Sequence, residues 1–211
     1  PAFLTGEQHA SCIIDGGSKL GAWIGAKKKS DMFDNLMQYV SSCKALCNSF
    51  DGTNFTIDII VSDLGGENGG QMQEMGFAGP LDYKWQKFQT DCKVARFFTV
   101  KGSKNQMPLL DNFIFCIARS ARRAIDHAEK PIFMWLIVCQ YMCVVWNRFC
   151  HATDHVTPIG YVTGITPNIS HLRVILCDVK YLCDGLTKFH SKAMPGIFCG
   201  LLGQKYKIYC M

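Results

Sequence analysis

The sequence lacks the cysteine spacing of a zinc module, although 12 of its 211 residues are cysteine. No Cys-x-x-Cys pair occurs, and the cysteine and histidines around Cys150 have no second ligand pair at a suitable spacing. Cys43 and Cys47 are separated by one helical turn in an apolar helical pattern, and so are Cys139 and Cys143. This spacing favours buried free thiols, which are typical of a reducing, intracellular compartment.

Long apolar runs and a secretory signal are also absent. The longest apolar stretch, Pro131 to Trp146, is shorter than the roughly 20 residues needed to cross a bilayer. Pro1 to Ala10 lacks the basic start and long apolar segment of a signal peptide. We therefore expect no membrane partner, and we expect Pro131 to Trp146 to form a buried helix.

Charged residues are scarce, at 18% of the chain against 48% hydrophobic residues, and this composition excludes extensive disorder. A chain of 211 residues can bury a core in one or two domains. The formal net charge of +5 is modest. It permits nucleic acid as a partner but does not require it.

The order of apolar patterns along the chain predicts an α/β protein. Apolar positions three to four residues apart predict helices, and short β-branched runs bounded by Gly, Pro or Asn predict strands. After Thr157, short apolar runs broken by Gly and Pro predict a β-rich tail. The other predicted elements are a hairpin of Ala10–Ile14 and Leu20–Ala26, a helix Ser30–Ala45, a buried strand Thr56–Val61, a short strand Arg96–Val100, and helices Leu109–Ala128 and Pro131–Arg148.

An acid follows the predicted buried strand. Asp63 lies at the carboxyl end of that strand, and Gly65 and Gly66 then let the backbone turn and leave the carboxylate uncrowded. A fixed acid that is open on one side suits a divalent metal that also binds phosphate oxygens. An ordinary turn after a strand would carry the same residues, so the spacing alone leaves both interpretations open.

A second acid, Asp111, lies in the first turn of the predicted helix Leu109–Ala128, at the border of its apolar stripe. Hairpin, helix, acid-bearing strand and long helix follow one another in the order of a ribonuclease-H-like fold. We therefore predict an α/β protein with a ribonuclease-H-like mixed sheet flanked by helices and a small β-rich C-terminal appendage. Asp63 and Asp111 are then expected to share an acidic notch.

The chain resembles the integrase of copia-type retrotransposon polyproteins over nearly its whole length. Each matching piece is short, and the order and spacing of the set carry the resemblance. The pieces are Ile13-Ile14-Asp15 with Ser18-Lys19 and Trp23, Lys29-Ser30-Asp31, Ser62-Asp63-Leu64-Gly65-Gly66-Glu67, Ala121-Arg122, Pro131 with Phe133 and Trp135, Asn147-Arg148, Thr157-Pro158, His171-Leu172-Arg173-Val174 with Cys177, and Gly196-Ile197-Phe198-Cys199-Gly200.

The resemblance implies a polynucleotidyl transferase that joins element DNA ends to target DNA with Mg²⁺ or Mn²⁺, in the nucleus or cytoplasm, and it is compatible with a homo-oligomer. It implies a catalytic-core-like domain over residues 1–150 and a β-rich extension over residues 151–211. Asp63 and Asp111 match two of the family's three metal ligands. The family's first acid precedes a Gly-Pro pair that would end at Pro1, which excludes Asp15 from that role.

The chain departs from the family at Asp111, where the family has Glu, and the expected alternative is a catalytically inactive protein that keeps nucleic-acid binding. Five basic residues around and along the long helix are the candidate phosphate contacts, and a solvated helix face is the other interpretation of them. A helical interaction module built on Pro131 to Trp146 is a third possibility. The five basic residues are Lys101, Lys104, Arg119, Arg122 and Arg123.

Overall fold

The computed structural model describes residues 6–48, 56–62, 80–99, 106–151, 155–182, 193–203 and 205–210. Short 3₁₀ turns precede two of its helices, at Lys29–Asp31 and Ile132–Met134. The elements in chain order are β1 (His9–Ile14), β2 (Gly21–Ala26), α1 (Met32–Asn48), β3 (Ile59–Ser62), α2 (Pro80–Cys92), β4 (Ala95–Phe98), α3 (Pro108–His127), α4 (Trp135–Trp146), α5 (Pro158–Thr163), β5 (Asp178–Leu182), β6 (Ala193–Leu202) and β7 (Lys205–Cys210).

These elements confirm the α/β class, but the described strands form three small sheets and not one mixed sheet. β1 and β2 pair antiparallel, β3 and β4 pair parallel, and β5, β6 and β7 form an antiparallel sheet in that order. The hairpin and the three predicted helices lie within a few residues of their predicted bounds, because their apolar patterns extend over whole elements. The finer assignment to a ribonuclease-H-like fold stays a prediction.

The hairpin β1–β2 lies between two helical layers. Cys12 pairs with Trp23 on one face, and Ile13 pairs with Ala22 on the other. The Cys12 face packs against α3 and α4, and the Ile13 face packs against α1. Because side chains alternate along a strand, both faces of this hairpin are covered by apolar groups.

The strand predicted before Asp63 is present as β3, but the prediction that it is buried is wrong. Ile59 and Val61 on β3 are 57% and 50% exposed, and Phe97 on β4 is equally open. Of the apolar side chains in the predicted strand, Ile57 and Ile60 pack against the core that α1 and α2 form. A continuously apolar run favours two covered faces, whereas the described helices cover one face of this strand pair.

The C-terminal residues pack onto the same core as α3 and α4. Phe198 on β6 is buried, and its ring meets that of Tyr141 on α4 edge to face at 5.4 Å. The Tyr141 hydroxyl donates to the Arg173 carbonyl oxygen at 2.6 Å and accepts from the Arg173 N–H at 2.9 Å. The predicted β-rich tail is therefore present as β5, β6 and β7, preceded by the short helix α5.

Candidate nucleic-acid interface

Helix α3 has one exposed polar face and one buried apolar face. Packing of the apolar face fixes the orientation of the polar face. Pro108 occupies the first turn, where its missing N–H costs no hydrogen bond. The buried residues repeat every three to four positions and lock the helix against α4 and the hairpin. They are Phe113, Ile117, Ala121 and Ile125.

The outer face of α3 brings together four of the predicted site residues. Asp111, Arg119, Arg122 and Arg123 are all exposed. At about 100° per residue they fall within one sector of the helix, with Arg119 opposite the buried stripe and Asp111 at the edge of the sector. Asp111 lies at the start of this face and the arginines lie two to three turns further along. We call this face, together with Phe115, the α3 outer face.

The three arginines are available for an external partner. Within the described parts of the chain, no carboxylate lies within ion-pair distance of any of them. Arg96 on β4 shows the opposite arrangement, because its guanidinium lies 3.7 Å from the ring centre of Trp85 and 4.5 Å from that of Phe98. Arg96 is thus occupied by the protein itself, whereas the α3 arginines face solvent.

Three of the predicted residues cannot be compared with this face. Asp63 comes directly after Ser62, the last residue of β3, and lies outside the described residues, as do Lys101 and Lys104. The expected approach of Asp63 to Asp111 therefore stays a prediction. Among the residues that the structure describes, no three His, Cys, Asp or Glu side chains are grouped closely enough to hold a metal ion.

Asp15, the other acid near a strand end, has a structural role. One of its oxygens accepts hydrogen bonds from the Ser18 N–H at 2.6 Å and from the Ser18 hydroxyl at 2.7 Å. These bonds close the turn between β1 and β2, as an aspartate side chain commonly does. This local role agrees with its exclusion from the catalytic set.

A groove of about 370 Å³ runs beside the α3 outer face. Arg122 and Asp126 border it on α3, Trp135 borders it on α4, and Gln8 and Trp23 close it from the hairpin side. Its residues come from three distant parts of the chain, so no local motif signals it. The groove extends the accessible surface next to Arg122.

The half-buried thiol of Cys12 and the buried thiol of Cys139 are poorly suited to act as nucleophiles at neutral pH. Burial raises the pKa of Cys12 and of Cys139 to about 12, and neighbouring Cys139 adds to the shift at Cys12. Only the thiolate is reactive, and these groups stay protonated. The predicted buried free thiols are confirmed at Cys43, Cys47, Cys139 and Cys143, all of which are buried and unpaired.

Comparison with known proteins gives no relative: no protein-family model matches the chain, and no curated protein matches it at a significant level. The integrase resemblance therefore depends on the order of its motifs alone. Among the described residues, no helix is both long and apolar enough to cross a membrane.

Proposed function

We propose that this chain is an integrase-type protein that binds DNA through the α3 outer face. The observation that supports the proposal is the exposure of Arg119, Arg122 and Arg123 on one side of α3, without a described carboxylate within ion-pair distance. Arginine presents a planar fork of donors that matches phosphate oxygens. A row of such groups on one helix fits a nucleic-acid backbone.

The rigidity of α3 makes this interface effective. Phe113 is fully buried and meets Trp146 of α4 edge to face at 5.3 Å, so the helix is anchored near its start. Anchoring lets the three guanidinium groups meet phosphates without ordering a loop first. Contacts of this kind are independent of sequence and weaken as salt rises.

Metal-dependent DNA strand transfer is the second part of the proposal. Asp111 lies at the start of the α3 outer face, and Asp63 follows β3 directly. In this proposal the two carboxylates hold Mg²⁺ or Mn²⁺, which would activate a nucleophile and stabilise the leaving oxygen at a phosphodiester. The protein's own contribution is to hold the DNA backbone along α3.

Two features favour the alternative, in which the protein binds DNA without joining it. The Asp111 carboxylate is one methylene shorter than the Glu of the family, and metal ligation tolerates only a few tenths of an ångström. The buried stripe of α3 prevents the helix from sliding to compensate. A helical interaction module on α4 is less well supported, because Leu136, Val138 and Tyr141 of that helix are buried.

A binding titration tests the first part. We expect a fluorescein-labelled duplex to bind in low salt, with an affinity that falls steeply as salt rises. Changing Arg119, Arg122 and Arg123 together to Ala should reduce the slope of log affinity against log salt by about three. The charge-matched control is Lys27, Lys28 and Lys29 to Ala, since these lysines are also exposed. Salt-independent binding, or equal losses in both variants, would contradict the proposal.

A strand-transfer assay with Mn²⁺ tests the second part. If Asp63 and Asp111 share a metal, Asp111→Glu should increase joining of a labelled DNA end to a plasmid, and Asp63→Asn should abolish it. Both variants should keep the DNA affinity of the parent, because neither change touches the arginines. Joining that survives Asp63→Asn would exclude the proposed metal pair, and absence of joining in every variant would leave binding as the function.

A further inference from the structure

Phe115 is an exposed aromatic residue in the middle of the α3 outer face. Its side chain is 59% exposed although phenylalanine is usually buried. Arg119 follows it by one helical turn and Arg122 by two, and Asp111 precedes it by one turn. The other side chains in this sector of the helix are charged or polar apart from Pro108, and they include the carboxylates of Asp111 and Asp126 beside the three arginines.

The surroundings of Phe115 define the chemistry of a partner. The Arg119 guanidinium lies 5.7 Å from the ring centre, a cation–π distance that orients both groups on the surface. The accessible ring offers an apolar, planar contact, while the three arginines attract negative charge. A partner that is both planar and flanked by anionic groups matches this combination.

We infer that Phe115 stacks against an unpaired nucleobase while Arg119 and Arg122 hold the flanking phosphates, so that the α3 outer face prefers single-stranded or frayed DNA. The inference rests on the proposed DNA binding and adds the form of DNA that is recognised. An aromatic side chain stacks on any base, because every base has a π-face. Intact duplex DNA keeps its base faces stacked inside the helix, so it offers phosphates and groove edges to the arginines but no free base face to the ring.

The groove beside Arg122 agrees with this preference. It opens next to the same face and is bordered by Trp135 and Trp23. A strand whose bases are unpaired has further rings to place along an aromatic border, whereas a duplex does not. The stacking residue itself is Phe115, since it is the aromatic ring within the arginine row.

The test compares a labelled oligothymidine with a duplex of the same length in low salt. Phe115→Ala should weaken oligothymidine binding by about tenfold, the loss of one stacked base, and should weaken duplex binding much less. Phe115→Tyr should bind both like the parent because it keeps the ring. Tyr83→Ala is the matched control, since Tyr83 is an aromatic residue on α2 that is 66% exposed.

An oligothymidine with abasic positions provides a second readout. If stacking is the contact, removing bases should weaken binding to the parent protein and have little effect on Phe115→Ala. Equal loss on duplex and single strand, or no loss in Phe115→Ala, would overturn the inference while leaving DNA binding intact. Competition by polyglutamate as effective as by oligothymidine would identify an acidic protein surface as the partner and overturn it as well. Absence of salt-dependent DNA binding by the parent would overturn both proposals.

The substitution itself should not disturb folding, so a loss of binding reports on the contact. Phe115 lies outside the buried stripe of α3, and thermal melts of Phe115→Ala and the parent should coincide within a few degrees. A large fall in the melting temperature of Phe115→Ala would show that the ring has a structural role. Phe115→Tyr then decides the question: if this variant is as stable as the parent but lacks its preference for single strands, the inference is overturned.

Discussion

Strands β2 and β3 are both apolar, yet they have different environments. β2, together with β1, lies between α1 on one side and α3 and α4 on the other; we call this the two-sided region. β3 and β4 have described helices, α1 and α2, on one face only; we call this the one-sided region. Ile59 and Val61 on β3 are half-exposed as a result. The comparison shows that the elements around a strand, and not its own hydrophobicity, decide whether it is buried.

The two regions should differ most in the free energy of unfolding that is lost when a phenylalanine ring is removed. Phe113→Ala removes a fully buried ring and leaves a cavity beside Trp146, so we expect the free energy of unfolding to fall by about 4 kcal/mol. Phe97→Ala removes a ring that is 56% exposed and should cost less than about 1 kcal/mol. Urea unfolding measures both changes. Similar losses would show that both faces of β4 are covered in solution.

A smaller loss is expected where a side chain supports the edge of β2. The Asn147 side-chain oxygen accepts from the Gly21 N–H, and its amide nitrogen donates to the Gly21 carbonyl oxygen, each at 2.8 Å. Asn147→Ala should reduce the free energy of unfolding by about 2–3 kcal/mol, because both backbone groups lose their partner. Asn112→Ala, an exposed position on α3, is the control for the loss of an amide. An equal, small effect in both variants would show that the hydrogen bonds of Asn147 do not stabilise the two-sided region.

Raising the pH should reduce the free energy of unfolding through the thiols of the two-sided region. Burial raises the pKa of Cys12 and of Cys139 from 9.0 to about 12, and burial also raises the pKa of Cys143. Above about pH 9 the unfolded chain releases thiol protons that the folded chain keeps, so stability is complete below pH 9 and falls as pH rises toward 12. Between about pH 8 and pH 10.5 we expect a loss of about 2 kcal/mol for each thiol that stays protonated in the folded chain.

Urea midpoints at the two pH values measure this loss, and thiol variants identify its source. Cys139→Ala should reduce the pH dependence, whereas Cys92→Ala should not change it, because Cys92 is exposed. A midpoint that does not shift between the two pH values would show that the thiols titrate normally in the folded protein.

The smallest effect is expected for the ion pair of the one-sided region. Lys84 on α2 lies 3.2 Å from Asp34 on α1, and both side chains are more than half exposed. Exposed pairs of this kind contribute little, so Lys84→Ala should change the free energy of unfolding by less than about 0.5 kcal/mol. A clear loss in urea unfolding would mean that charge, and not the apolar contacts of Trp85 and Phe88, holds α2 to α1.

The strongest local patterns gave correct elements, and weak patterns did not. The buried stripe of α3 repeats at every fourth residue from Phe113 to Ile125, and the predicted helix Leu109–Ala128 differs by one residue at each end from the observed Pro108–His127. α2 received no prediction, because its polar residues obscure the spacing of its two buried rings, Trp85 and Phe88. Its helical state depends on packing against α1, which no local pattern contains.

The features of the candidate site also fall into two groups, those that follow from local spacing and those that depend on packing. Helical spacing alone is enough to place Asp111 and Arg122 on one side of α3, because the azimuth of a residue on a helix follows from its number. It did not predict that the three arginines lack a described ion-pair partner, or that Phe115 is exposed among them. Those features depend on which surfaces α4 and the hairpin cover.

The sequence by itself determined the helices with clear apolar stripes, the hairpin and the order of basic residues along α3, because each follows from spacing within one segment. Only the tertiary structure decided which apolar strand is covered on both faces, where Asn147 meets Gly21, and that a groove opens beside Arg122. These features join residues that are far apart in the chain. Their free energies come from contacts that form only when separate elements pack together.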